Sequence, residues 1–357
     1  MYDVCIIGGG INGVSTAFQC SQKNFKTILF EQKSLANGAS SKTSKLAHGG
    51  LRYLENLEFG LVKESLQERN RLVAEYPNMV KPLPFIFPVY STFNMIKMWL
   101  GLKLYDILAI GSSMPGSKRA SKQDVAHMLP WLKTDNTTCI FQYYDALMYD
   151  DEIVFEIANK ARDNSVEIYT NEKVVDYIEH ISHVHVVTNK RDIKCKALIN
   201  VTGAWNSKMT SPSKGVHLIT DKLKSQTATI LINPKDNRVF FTIPYKNNTI
   251  IGTTDDLYDG DPNNISIEKA DREYIINAIN QFSKEDITIE DIIDEYVGLR
   301  PLARSDKEAG KISRDFTIEH TGRTFSMVGG KYTTHRAMCE VLTDKVGTFL
   351  RASSSIG

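Results

Sequence analysis

At 357 residues, 42% hydrophobic and 24% charged, the chain is long enough to bury a sizeable core and suits about two domains. A formal net charge of +1 excludes a global field for nucleic acid or another polyanion, so any anion has to be held by a local cluster. Five scattered cysteines, Cys5, Cys20, Cys139, Cys195 and Cys339, form no CxxC pair and suit a reduced, cytosolic compartment. A first strand expected from Tyr2 leaves no room for a signal or transit peptide, which again points to the cytoplasm. No run of about 20 apolar residues exists to span a bilayer.

The first 31 residues carry the most chemistry. VCIIGGGINGVSTA reads as an apolar strand, a turn at Gly8, Gly10 and Gly13, and a small-residue helix, while a second strand, KTILF, ends at Glu31. In a dinucleotide clamp Gly8 allows the tight turn, Gly10 lets the backbone approach a pyrophosphate, and Gly13 lets helix pack on strand. Phosphates then sit on the positive end of the helix, and Glu31 accepts from an adenosine ribose. The expected contacts are Gly8, Gly9, Gly10, Asn12, Gly13, Glu31 and Gln32. The bland alternative is a structural glycine-rich turn.

Residues 60–75 have helical character, with Leu61, Leu66, Leu72 and Val73 among charges. PLPFIFPVY, 82–90, holds three prolines and reads as an extended connection and a domain crossing. FNMIKMWLGLKLYDILAI, 93–110, is apolar apart from Lys97, Lys103 and Asp106, and two readings stay open. It either packs against its own domain, or lies in a membrane interface with Trp99 and Tyr105 beside the lysines. Residues 151–164 read as an amphipathic helix with Ile153, Val154, Ile157 and Ala161 on one face. VEIYT, KVVDYIEH, HVHVVTN and ALINVTGAW follow as strands returning to the nucleotide domain. SQTATILI, RVFFTIP and NTIIGTTD read as an antiparallel sheet with Pro244 and Asn247-Asn248 as turn residues. Residues 268–281 look helical and the tail RASSSIG unstructured.

Ribose-binding acids at this spacing serve both NAD and FAD. The longer runs GASSKTSKLAHGGLRYLE (38–55), YYDALMYDDE (143–152), NVTGAW (200–205), KGVHL (214–218), IPYKNNTIIGTTD (243–255), GLRPLARSD (298–306), SRD (313–315) and GGKYTTHRAM (329–338) closely resemble, in order, those of the FAD-dependent glycerol-3-phosphate dehydrogenases. The resemblance implies an α/β chain: a Rossmann-like FAD-binding domain of the glutathione-reductase and amino-acid-oxidase type, joined to an α+β substrate domain with an antiparallel sheet. We expect the flavin domain over 1–75, 150–212 and 297–357 and the substrate domain over 76–149 and 213–296. The resemblance implies a helical C-terminal domain beyond GGKYTTHRAM that this sequence does not include, so we expect either a C-terminally short member of the family or a fragment of a longer chain. Smaller departures are Asn37 and Ala39 before Ser40, Ala204 where proline is usual, and His335 where tyrosine is usual.

Oxidising a secondary alcohol needs a base, a cation beside the developing alkoxide and an anchor for phosphate. Arg52 and Tyr53 follow the HGG loop, where the resemblance places substrate beside the flavin; Arg52 grips phosphate, or else pairs with a surface acid such as Glu55. Arg300, stiffened by Pro301, faces the substrate oxygen, and Arg314 is a second phosphate contact. His217 and His48 are the two candidate bases; His217 is preferred, with His48 shaping the flavin loop. Lys331 adds a cation beside flavin and substrate, at a helix start where Gly329, Gly330, Thr333 and Thr334 face the isoalloxazine. Ser40, Ser41 and Ser44 suit the pyrophosphate or ribityl chain, Val174 the adenine, and Leu46, Gly49, Thr202 and Gly203 complete the cofactor contacts.

The implied activity is oxidation of sn-glycerol 3-phosphate to dihydroxyacetone phosphate by hydride transfer to FAD, with electrons passed to a quinone. Molecular oxygen as acceptor, or a truncated flavin-binding remnant without turnover, are the alternatives. No metal is expected, since His183 and His185 alternate on a strand without companion ligands. Expected partners are the small substrate, a quinone, a membrane surface through 93–110 and a second copy of the chain, but no nucleic acid.

Overall fold

In a computed structural model, which describes residues 1–304 and 315–354, the chain forms two sheets with helices on their outer faces. The first sheet has eight described strands. Its centre is Tyr2–Ile7, flanked in parallel by Thr27–Phe30 and Asp192–Asn200. Glu167–Tyr169 extends one side; Thr324–Gly329 extends the other in parallel, and Phe316–Thr321 joins it antiparallel. A hairpin, Val174–Glu179 and Val184–Thr188, adds antiparallel to Asp192–Asn200.

The central strand is buried from Val4 to Ile6, so its side chains read as one continuous apolar run rather than an alternating one. Helix Ile11–Gln22 packs against helices Asp150–Asp163 and His335–Ser354 through small buried residues, among them Gly13, Ser15, Thr16 and Ala17. Gly8 has a φ of +113°, a turn that disfavours any side chain. A Cβ on Gly13 would stand 1.8 Å from the Gly8 carbonyl oxygen, so helix and strand approach as closely as backbone allows.

The second sheet has ten described strands, running from Asp256–Leu257 through Ser213–Thr220, Asn248–Gly252, Val239–Tyr245, Ala228–Ile232, Val80–Val89 and Cys139–Met148 to Leu46–Ala47. Ile292–Arg300 also pairs with Ser213–Thr220, and Lys118–Arg119 with Cys139–Met148. All these pairings are antiparallel except that of Ala228–Ile232 with Val80–Val89, which runs parallel.

Several expectations change here. The proline-rich run is not a connection but the ten-residue strand Val80–Val89, paired along its whole length with Cys139–Met148. Pro82, Pro84 and Pro88 share one parity, so their missing donors fall on one edge; the Val89 carbonyl, of the other parity, accepts from Thr138 on the fully paired edge. The turn between the last two hairpin strands is Lys246–Asn247, with Asn248 already in the strand opposite Tyr245, and the left-handed Lys246 makes the bend. Arg351 to Ser354 are not unstructured but finish the last helix.

The helix predicted over 60–75 spans Phe59–Glu75, and the apolar segment is the helix Thr92–Leu108. That helix buries Leu102 and Tyr105, while Phe93 and, just past its end, Ile110 are 77% and 82% exposed. Ile96, Trp99, Leu100 and Ile107 are also exposed. Among the described residues no helix is long and apolar enough to cross a membrane.

Candidate functional site

A single cleft of about 2870 Å³ runs between the two sheets, several times the size of a typical small-molecule pocket. Its nucleotide end is built by the first strand–turn–helix unit. Gly8, Gly9, Gly10, Asn12, Glu31 and Gln32 line it, joined from other segments by Val174, Thr202 and Gly203. The Glu31 carboxylate accepts from the backbone N–H groups of Gly9 (2.7 Å) and Lys33 (2.8 Å), which fixes it at the end of its strand. Helix Ile11–Gln22 has no capping side chain of its own; Ser40 supplies it, its Oγ accepting from the Ile11 N–H at 2.9 Å.

The loop after Ser40 is tied from below. Lys45, left-handed and 8% exposed, reaches Asp150 at 2.6 Å and the Ser41 carbonyl at 2.8 Å. Asp150 also accepts from the Thr43 hydroxyl at 2.7 Å, and its carbonyl from the Tyr332 hydroxyl. Burial pushes the Asp150 carboxyl up while Lys45 and Thr43 pull it down, and the buried pair ties the loop to the start of helix Asp150–Asp163.

The cations Arg300 and Lys331 line the same cleft. Arg300, closing the strand Ile292–Arg300, lies flat against Gly215, where a Cβ would come within 2.5 Å of the guanidinium. It donates to Thr253 Oγ1 at 2.9 Å and, at 3.3 Å each, to Asp255 and Ser213 Oγ. Lys331 precedes the turn Tyr332–Thr334 that opens the last helix, following the left-handed Gly329 and Gly330. Its Nζ bonds Ser65 Oγ at 2.9 Å and stands 3.8 Å over the Tyr53 ring. Burial lowers the Lys331 ammonium to about 8, against the pull of Glu64.

His217, 1% exposed on Ser213–Thr220, is hydrogen-bonded through Nε2 to Ser44 Oγ at 2.8 Å and stacks on Tyr296. Burial, with Arg300 and Lys45 nearby, holds its pKa well below the ordinary histidine value, so the ring is neutral at neutral pH. Its Nδ1 is buried with no hydrogen-bond partner.

Of the residues singled out in the sequence, Ser44, Leu46, His48, Tyr53, His217, Arg300, Gly329, Gly330, Lys331 and Thr333 share this cleft wall with the nucleotide end. Gly13, Ser41, Gly49 and Thr334 stand behind it: Gly13 in the helix–strand contact, Ser41 under Lys45, Gly49 against Tyr105, and Thr334 against Met338. The Arg52 side chain and Arg314 lie outside the described residues. Sequence reasoning missed Lys45, Ser65, Arg69, Asp145, Asp150 and Asp255. The two acids 145 and 150 sit inside the quoted run YYDALMYDDE, and Arg69 falls seven residues after Val62 on the buried stripe of its helix, where a charge is anomalous.

These residues fit a flavin dinucleotide: the cleft is long enough, its turn is free of side chains, and an acid is fixed at the ribose position. Comparisons with known proteins agree. A family model described as FAD dependent oxidoreductase matches residues 3–337. Glycerol-3-phosphate dehydrogenase from Pseudomonas tolaasii is 34% identical, the match covering 98% of this chain and 72% of that protein. The protein of the same name from Pseudomonas aeruginosa is 33% identical over 95% of this chain and 70% of its own.

Among solved structures, the glycerol-3-phosphate dehydrogenase from Bacillus halodurans complexed with FAD has a TM-score of 0.78 at 24% identity. The match covers 98% of this chain but 65% of that one. The FAD-bound L-α-glycerophosphate oxidase from Mycoplasma pneumoniae has a TM-score of 0.77 at 17% identity, covering 95% and 93%. The fold and the sequence lead to one conclusion: the chain belongs to the FAD-dependent oxidoreductases, in the glycerol-3-phosphate dehydrogenase family, and its cofactor is FAD.

Proposed function

We propose that the chain oxidises the secondary hydroxyl of sn-glycerol 3-phosphate to dihydroxyacetone phosphate and passes the electrons to a quinone at the cytoplasmic membrane surface. One observation supports the reading: Arg300, His217 and Lys331, far apart in sequence, all line the cleft that the dinucleotide turn also lines. FAD, when bound, supplies the hydride acceptor. Gly8 to Asn12, Ser40 and Glu31 would hold its pyrophosphate and ribose, and the segments 46–48 and 329–333 would face its ring.

The protein's own groups do the rest. Arg300 offers a fixed guanidinium to the substrate oxygen, already oriented by Thr253, Ser213 and Asp255, so little reorganisation accompanies charge development. Ser44 Oγ stands 2.8 Å from His217 Nε2, and in the tautomer with the ring proton on Nδ1 the substrate hydroxyl proton passes through Ser44 to Nε2. Lys331 and Tyr53 close the recess, and Arg52 is assigned to the phosphate.

The quinone and the membrane rest on the exposed apolar face of Thr92–Leu108 with Lys97 and Lys103 among it, a composition suited to a lipid interface. A reducing compartment is consistent with five free thiols. The likeness of fold to a glycerophosphate oxidase keeps oxygen as the second reading.

Anaerobic mixing of the yellow protein with glycerol 3-phosphate tests the first half: the flavin band near about 450 nm bleaches. An unchanged spectrum makes the chain a flavin-binding protein without turnover. Reoxidation by a quinone analogue without peroxide supports the proposed acceptor, and stoichiometric peroxide in air replaces it with oxygen.

A further inference from the structure

Helix Thr92–Leu108 exposes Phe93, Ile96, Trp99, Leu100 and Ile107 and fully buries two side chains, Leu102 and Tyr105. Leu102 ends in apolar packing. The Tyr105 hydroxyl instead donates to Asp145 Oδ1 at 2.7 Å. That oxygen also accepts from Arg69 Nη1 at 2.7 Å and from the backbone N–H of Gly49 at 3.0 Å. The Arg69 and Asp145 side chains are 1% and 3% exposed, so the cluster is sealed from bulk water and its members are strongly interdependent.

Gly49 lies between His48 and Gly50, both of which face the cleft. A Cβ on Gly49 would stand 2.3 Å from the Tyr105 hydroxyl, so that oxygen touches the loop backbone as well as the acid that holds it. Burial raises the Tyr105 phenol well above its ordinary pKa and keeps it a donor.

We propose that Tyr105 is a positioning residue for the flavin-facing loop His48–Gly50: its hydroxyl, with Arg69, orients the Asp145 carboxylate that fixes the Gly49 N–H. The outer helix, whose Met98, Gly101 and Leu104 line the same cleft, is thereby also tied to the loop from behind. This rests on the reading that FAD lies against that loop. Tyr105→Phe preserves the edge contact of the ring with Tyr143 and deletes one donor of three. The carboxylate is then held by two groups, and a gap opens behind the loop.

The test compares wild-type, Tyr105→Phe and Leu102→Ala holoproteins by visible flavin spectrum, rate of FAD loss on dilution, and thermal melting. Tyr105→Phe shifts the flavin band and releases FAD about tenfold faster. Leu102→Ala, which removes packing from the same helix without touching Asp145, melts lower while its folded fraction keeps the wild-type spectrum and release rate. Wild-type spectrum and release in Tyr105→Phe overturn the inference, as do flavin changes in both variants that merely track melting. Wild-type protein that takes up no FAD overturns the flavin reading and this one together; a yellow wild type with an unaffected Tyr105→Phe overturns only this one.

Discussion

Arg300 donates to Thr253, Asp255 and Ser213, which hold it flat on Gly215, and this geometry gives its removal a separable signature. Arg300→Ala is expected to slow single-turnover flavin reduction about a hundredfold, close to 3 kcal/mol of barrier, with FAD fully retained. Stopped-flow reduction at near-wild-type rate removes Arg300 from the substrate. Lys331 makes a pH statement. Its ammonium, lowered to about 8 by burial, is charged below that pH and neutral above it. The free enzyme therefore loses kcat/KM as pH rises through about 8, and Lys331→Met, slow at every pH, loses that alkaline limb; an identical limb in the variant assigns it to another group. Gly10 faces Ser40, whose Oγ stands 2.9 Å from where a Cβ would be. Gly10→Val fills the phosphate approach, and the purified variant is expected to be colourless.

Between residue and molecule lie the strand–turn–helix unit, the tied loops and the apolar helix, and they differ in how far their sequences announced them. The first unit was fully legible because each glycine answers a local constraint: a positive φ at Gly8, a backbone contact at Gly13. Helices Phe59–Glu75, Asp150–Asp163 and Lys269–Asn280 were legible from period alone. The short helix Lys122–Met128 is too brief to show a period, and Ser121 with Asp124, its capping box, is its one local signal. The strand Val80–Val89 was hidden because proline normally excludes a central strand, and only the parity of its prolines reconciles the two.

The cation recess was legible only as a set of motifs. Arg300 and His217 are brought together by strand pairing across a long sequence separation, whereas Lys331 follows a strand of the other sheet, and no local pattern encodes either placement. At this scale Arg69→Met is expected to destabilise by about 3 to 5 kcal/mol in denaturant, since it strands the Asp145 charge in the interior. A loss below about 1 kcal/mol shows that Tyr105 and Gly49 alone satisfy that acid. The outward face of Thr92–Leu108 makes a further prediction. The double change Phe93→Glu, Ile110→Glu abolishes co-sedimentation with anionic vesicles and leaves melting unchanged, because both side chains are exposed. Equal sedimentation removes the helix from the membrane proposal.

Across the whole molecule, the three helices packed on the first sheet enclose a titrating group. His335 is buried, bonded to Ser15 Oγ at 3.0 Å, and lowered by burial to about 3. Its folded pKa lies below its unfolded value of 6.5, so the unfolded chain binds the extra proton between the two. Stability from this group is complete above pH 6.5 and falls on acidification toward 3, by up to about 1.4 kcal/mol per pH unit. His335→Gln keeps a partner for Ser15 and is expected to melt with a shallower acid slope; superimposable slopes assign acid unfolding elsewhere. The placement of Thr324–Gly329 beside Asp192–Asn200 has a further consequence, for synthesis. A nascent chain on the ribosome completes the dinucleotide turn about three hundred residues before the wall that carries Gly329 and Lys331 emerges. Translation stalled before residue 324 therefore leaves a vitamin-derived cofactor with half a berth, and flavin capture waits for that segment.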